Sequence, residues 1–159
     1  MTGRLQDKVA LVCGAGSIGP GWGNGKATAA AFAREGAKVF AVDLNPEAAA
    51  ETTAIIEGEG FQATAHAADV SDENSVGEMV AACTAAYGRV DILHNNVGIA
   101  SLGGPIETTL AQWERVMRVN VTSMFLTCRE VLPLFLEQGG GAIVNVSSLS
   151  AVKAARPEL

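Results

Sequence analysis

Glycines at positions 14, 16, 19, 21, 23 and 25 interrupt an apolar run, Val9-Ala10-Leu11-Val12-Cys13, and a helix-forming segment from Lys26 to Arg34 follows at once. Such glycines suit one kind of chemistry. Without a Cβ the backbone can turn sharply and approach a diphosphate, and the helix behind it offers free N–H groups and the positive end of its dipole. Gly14, Gly16 and Gly19 match G-x-G-x-x-G, which is a weak signal alone. A dinucleotide site also needs an acidic residue roughly 20 positions on, at the end of a second strand, to meet the ribose hydroxyls. Asp43 ends the strand Lys38 to Val42, 18 positions after Gly25 and 24 after Gly19. The later glycines therefore fit the helix contact better, since a helix begun after Gly19 would carry Pro20, Gly21, Gly23 and Gly25 in its interior. The loop is Gly14 to Gly25 on this reading, and a flexible linker or surface hairpin is the alternative.

The elements that must hold these residues alternate along the chain. Strand one, Lys8 to Cys13, leads through the loop to a helix whose Ala27, Ala30, Ala31 and Ala33 offer small surfaces for packing on a sheet, closed by Gly36. Strand two is followed by Asn45-Pro46-Glu47, an N-cap with proline at the first helical position, and a helix to Glu57. Phe61 to Ala67 is strand three. Ser71, Asp72 and Glu73 start a third helix with the stripe Val76, Met79, Val80, Cys83 and Tyr87. Val90 to His94 is strand four and runs into Asn95-Asn96-Val97-Gly98. A long helix then opens with a Thr109/Gln112 capping box and carries the stripe Leu110, Trp113, Met117, Val121, Met124, Phe125 and Cys128, with a bend at Pro133. Ala142 to Ser148 holds strand five, apolar on both faces as in a buried parallel strand. Five strands alternating with four main helices predict an α/β fold, a Rossmann-type doubly wound parallel sheet of order 3-2-1-4-5, with ligand at the carboxyl ends of the strands.

Composition narrows the function classes. The 159 residues are 48% hydrophobic and 18% charged, which suits one globular domain, and the net charge of −6 argues against nucleic acid or an anionic membrane as partner. The N-terminus lacks the apolar core of a signal peptide, and no apolar stretch reaches the roughly 18 residues of a membrane span, so a cytoplasmic location is expected. Cys13, Cys83 and Cys128 each sit in an apolar pattern and read as buried free thiols; His66 and His94 have no ligand cluster nearby, so no metal is expected.

The succession of Gly14 to Gly25, Asp43, Asp69-Val70, Asn95-Asn96-Val97-Gly98, Asn120 and Ile143-Val144-Asn145-Val146-Ser147-Ser148 closely resembles the short-chain dehydrogenase/reductase family over nearly the whole chain. The resemblance implies NAD as cofactor. It is held by Gly14, Gly16, Ser17, Gly23, Asn24 and Gly25 around the diphosphate, by Asp43 and Leu44 at the adenosine ribose, by Asp69 and Val70 at the adenine, and by Asn96, Val97 and Gly98 along the cleft. Asp43 would repel the 2′-phosphate of NADP. Each has a plainer alternative: Asp43 and Asp69 can be turn formers, both asparagines structural braces, and Ser148 a strand-end cap. Asn120 falls on the apolar stripe of the long helix, where an unpartnered amide would cost about 1–3 kcal/mol. In the family this asparagine bends the helix and holds a water beside the catalytic lysine, and the serine matched by Ser148 hydrogen-bonds the substrate; the alternative for Asn120 is an amide satisfied by helix backbone.

Three departures qualify the match. Cys13 stands where the family has threonine, and the glycine loop is longer, with Ile18 to Trp22 as the extra segment. The family's Tyr-x-x-x-Lys, which supplies the general acid or base, has no counterpart: the sole tyrosine, Tyr87, belongs to the third helix, and Leu149 lies four before Lys153. The sequence therefore reads as the cofactor half of such an enzyme, truncated at its C-terminus and inactive alone. What the resemblance implies is an oxidoreductase acting on a small-molecule alcohol or carbonyl, assembled as a homo-oligomer, a dimer or tetramer. The alternative is a catalytically silent protein that binds a nucleotide or a partner subunit.

Overall fold

In chain order the elements are β1 (Val9–Cys13), α1 (Asn24–Arg34), β2 (Lys38–Asp43), α2 (Pro46–Gly58), β3 (Ala63–Ala67), α3 (Glu73–Tyr87), β4 (Ile92–Asn95), α4 (Leu110–Met117), α5 (Ser123–Glu137) and β5 (Ala142–Asn145). They come from a computed structural model that describes residues 3–101 and 103–151. A π turn, Arg118–Thr122, joins α4 to α5 in one helical run. All strand pairs are parallel and the order is β3-β2-β1-β4-β5, the doubly wound arrangement the alternating pattern predicts. Lys153 lies outside the described residues.

Alternation along the central strands builds two cores. Val9, Leu11, Cys13, Phe40 and Val42 face α3 and α5, whereas Ala10, Val12, Val39 and Ala41 face α1 and α2. Small residues let α1 approach closely, through Ala29, Ala30 and Ala33; Ala27 and Ala31, expected on that face, are exposed instead. The helix starts at Asn24, two residues earlier than Lys26, and its inner face is Gly25, Lys26, Ala29, Ala30 and Ala33. Caps match the sequence: Asn45 accepts from Glu47 N–H, Asp72 accepts from Ser75 N–H, and Thr109 and Gln112 form a reciprocal box.

The long helix departs from the reading. Its irregular turn contains Asn120, where the family resemblance implies a bend, Pro133 lies inside α5, and α5 buries Ser123, Leu126, Thr127, Val131 and Phe135. Leu110, Trp113, Met117, Val121 and Phe125 are exposed. The exposed stripe continues on both sides of the π turn and no residue of α4 is buried, so this apolar face lies on the surface before the turn as well as after it. Leu110–Glu137, 28 residues, is also long and apolar enough to cross a membrane by length and composition, a stretch the sequence reading passed over; here α5 packs on α3 and β4. β5 is an edge strand among the described residues, with Val144 44% exposed, so the expected burial on both faces is not met.

Cys13 and Cys83 are buried, and burial pushes each thiol up to about 12; Cys128, expected to be buried, is only half-buried. His94 is buried on β4 with neither ring nitrogen hydrogen-bonded among the described residues, and the Phe32 ring meets its edge at 5.8 Å. Burial lowers its pKa, because the imidazolium would lose its water without gaining an acceptor. The unfolded chain therefore binds the proton more readily than the native state. This contribution to stability is complete above about pH 6.5 and is lost as the pH falls toward the folded pKa, with a limiting slope of about 1.4 kcal/mol per pH unit. Urea unfolding at a series of pH values should show this loss, and His94→Phe should flatten it; an equal slope in the variant would assign the pH dependence to other groups.

Candidate functional site

The carboxyl ends of the strands open into one cleft of about 990 Å³, at the upper end of the roughly 300–1,000 Å³ usual for small-molecule sites. Gly14, Gly16, Ser17, Gly23, Asn24 and Gly25 line it from β1 and the head of α1, Asp43 and Leu44 from β2, Asp69 and Val70 from β3, and Asn96, Val97 and Gly98 from β4. Every residue expected at a cofactor thus borders the same space.

Backbone proximity sets the geometry of the loop. Gly14 adopts φ +76°, and a Cβ on Gly25 would lie 1.7 Å from the Gly14 carbonyl oxygen. Asn96 Nδ2 donates to that same oxygen at 3.1 Å, tying β4 to the loop. Ser17 Oγ accepts from Gly23 N–H at 2.7 Å and donates to the Gly21 carbonyl at 3.2 Å, which fastens the base of the extra segment. The N-cap of α1, Gly23, has no side chain to cap with, and no acid occupies the first turn. The first N–H groups of α1 are therefore left for a ligand, and the dipole favours a negative one.

Asp43 is a turn former, the plainer of the two roles considered for it, and it also borders the cleft. Its Oδ2 accepts from Gly16 N–H at 2.9 Å and its Oδ1 from Asn45 N–H at 3.0 Å, so it braces loop and turn while bordering the cleft. Asp69 is likewise a turn former, with Oδ1 accepting from Ser71 N–H and Oγ. Val97 fills the space beside Gly14, its Cγ2 lying 3.0 Å from where a Gly14 Cβ would be. Asn95 braces the sheet: Thr127 Oγ1 donates to its Oδ1 at 2.9 Å, and its Nδ2 donates to Asn145 Oδ1 at 2.9 Å.

Asn120 and Ser148 are not among the residues lining the cleft. The Asn120 amide clamps one residue after β4, with Ile99 N–H donating to Oδ1 and Nδ2 donating to the Ile99 carbonyl, both at 2.8 Å. Its partner is thus a loop and not the helix backbone considered from the sequence. Ser148 is exposed beyond β5, and the residue that lines the cleft after this strand is Val146. Tyr87 packs against the sheet with its hydroxyl 2.8 Å from Thr64 Oγ1, near the amino-terminal end of β3 and away from the carboxyl ends that open into the cleft. Sequence reasoning missed Arg115 and Arg118, which border the cleft from the end of α4. Charges on an amphipathic helix read as solvent-facing, and nothing in their spacing says which wall they stand on. Gly25→Ala carries one expected outcome: in a helix this change normally stabilises by up to about 1 kcal/mol, but contact with the Gly14 backbone should reverse the sign, to about 1–3 kcal/mol of destabilisation in thermal or urea unfolding.

The sequence model described as short chain dehydrogenase matches residues 8–157. D-threitol dehydrogenase of Mycolicibacterium smegmatis is 42% identical over 151 residues, covering 95% of this chain and 56% of that protein. Among solved structures, a chain from Burkholderia xenovorans described as a short-chain dehydrogenase/reductase is 51% identical, with TM-score 0.92 over 95% of this chain and 60% of its own. A 7α-hydroxysteroid dehydrogenase in complex with NADH and 7-oxo glycochenodeoxycholic acid is 33% identical, with TM-score 0.87 over 94% of this chain and 56% of its own. The chain spans a little over half the length of the curated relative it matches. The family model covers most of the chain and the sheet order is that expected of the resemblance, and the chain belongs to the short-chain dehydrogenase/reductase family.

Proposed function

We propose that this chain is the dinucleotide-binding part of an NAD(H)-dependent oxidoreductase that acts on a small-molecule alcohol or carbonyl compound. One observation carries the reading: the uncapped head of α1, the glycine backbone and the Asp43 carboxylate border a single cleft of dinucleotide scale. The nicotinamide, when bound, would supply or accept the hydride. The chain's own residues bind and orient. Gly14, Gly16, Ser17, Gly23, Asn24 and Gly25 hold the diphosphate, Asp43 and Leu44 the adenosine ribose, Asp69 and Val70 the base, and Asn96, Val97 and Gly98 the wall toward the reacting end. Asn120 fixes the loop after β4 through Ile99, and Ser148 orients substrate. The exposed apolar face of α4 and α5, with Trp113 58% and Phe125 59% accessible, is the surface through which we place self-association into a homo-oligomer.

Placing Asp43 at the ribose has a measurable consequence. A carboxylate facing a 2′-phosphate should weaken NADP relative to NAD by about 1–3 kcal/mol, several-fold to a hundredfold. Paired titrations of the protein with NAD and NADP test this, and Asp43→Ser should narrow the gap. Equal or tighter NADP binding by the unmodified protein would refute the assignment.

A silent binding protein is the second reading, favoured by the Asn120 amide being bonded to both backbone groups of Ile99. General acid–base catalysis contributes typically 10²–10⁴-fold. The 159-residue chain should accordingly show no turnover with a panel of secondary alcohols and ketones when reduced-cofactor absorbance is followed. Turnover at about 1–10³ per second would mean that the acid or base lies among these residues.

A further inference from the structure

Two arginines stand apart in this acidic chain. Arg4, Arg34, Arg89 and Arg129 each sit on a carboxylate, of Glu35, Glu59, Asp91 and Glu73 respectively. Arg115 and Arg118 have no carboxylate partner among the described residues, although the chain holds 17 acidic residues against 11 lysines and arginines. Both border the cleft. Surface arginines in such a background find carboxylates easily, so a pair that faces a ligand space instead is placed for the ligand.

Their position selects which part of a ligand they meet. Arg118 Nε donates to the Ser71 carbonyl at 3.3 Å, which anchors it at the end of β3, directly after Asp69 and Val70. The head of α1, suited to a diphosphate, lies behind β1, and Asp43, suited to a ribose, ends β2. Moving outward across β1, β2 and β3 therefore passes from diphosphate to ribose to base. A bond through Nε leaves both terminal guanidinium nitrogens and the planar face of Arg118 available, and the side chain of Arg115, three positions earlier, has no hydrogen-bond or carboxylate partner among the described residues.

We propose that Arg115 and Arg118 form the outer wall of a purine pocket, with their guanidinium planes stacked on the base of the bound dinucleotide. This rests on the dinucleotide reading above and adds specificity-determining residues to it. A guanidinium is planar, weakly hydrated and always charged, and it stacks on an aromatic face in a way a lysine ammonium cannot. The pocket would then hold the base between the Val70 side and this wall, and would favour purines over a nicotinamide mononucleotide or a bare phosphate.

Equilibrium dialysis of the protein against AMP, nicotinamide mononucleotide and inorganic pyrophosphate tests the assignment. Arg118→Met and Arg115→Met should each weaken AMP about threefold to thirtyfold, the range of a guanidinium–π contact, and leave the other two probes within twofold. Arg118→Lys should behave like Arg118→Met toward AMP. Arg115→Met keeps the test open if loss of the Ser71 contact unfolds Arg118→Met, because Arg115 has no such bond. Unchanged AMP affinity in the variants, equal losses with all three probes, or full recovery in Arg118→Lys would overturn the proposal, the last two by assigning the effect to charge alone. Failure of the unmodified protein to bind AMP would instead overturn the dinucleotide reading, and this inference with it.

Discussion

The site depends on one close approach of backbone to backbone. Gly25, inside the first turn of α1, lies against the Gly14 carbonyl with no room for a methyl group, and that same carbonyl accepts from Asn96 at the end of β4. A helix can begin so near the strand that precedes it only if its second residue has no side chain. Once it does, the orphan N–H groups of its first turn point over the strand ends, and Asp43 is close enough to accept from Gly16. Loop, helix and two neighbouring strands are thus fixed by glycine backbone and two polar side chains, before any ligand contributes.

Around that approach the fold divides the labour between its two faces. On the α1 and α2 side, alanines dominate, so the helices sit close and bring the head of α1 to the cleft. On the α3 and α5 side, larger residues such as Phe40, Met79 and Phe135 fill a thicker core. The cost of burying polar groups is met locally: Asn95 bridges Thr127 and Asn145, and Asn120 bridges both backbone groups of Ile99. These bonds hold the segment after β4 against the helical run and set the wall of the cleft opposite the glycine loop. In α5 Leu126, Val131 and Phe135 face inward while Phe125 faces out, and Trp113 on α4 is exposed as well.

Much of this was legible in the residues themselves. Strand, glycine loop and helix follow from β-branched runs, from residues without Cβ and from capping side chains, all of which act over a few positions; the sheet order follows from the right-handed parallel crossovers that such alternation imposes. Because parallel strands all end on one side, the residues at those ends are expected to share a surface, and Gly14, Asp43 and Asp69 do, whereas Asn95 and Ser148 are not among the residues lining the cleft. Tertiary structure alone decided the rest. The inward face of α5 includes the polar Ser123 and Thr127 while Phe125 faces out, which a hydrophobic stripe does not reveal, and the partner of Asn120 is 21 positions away, chosen by how the loop folds back. Arg115 and Arg118 look like ordinary surface charges until the end of β3 is brought beside them, since spacing along a helix fixes which residues share a face but not what that face meets.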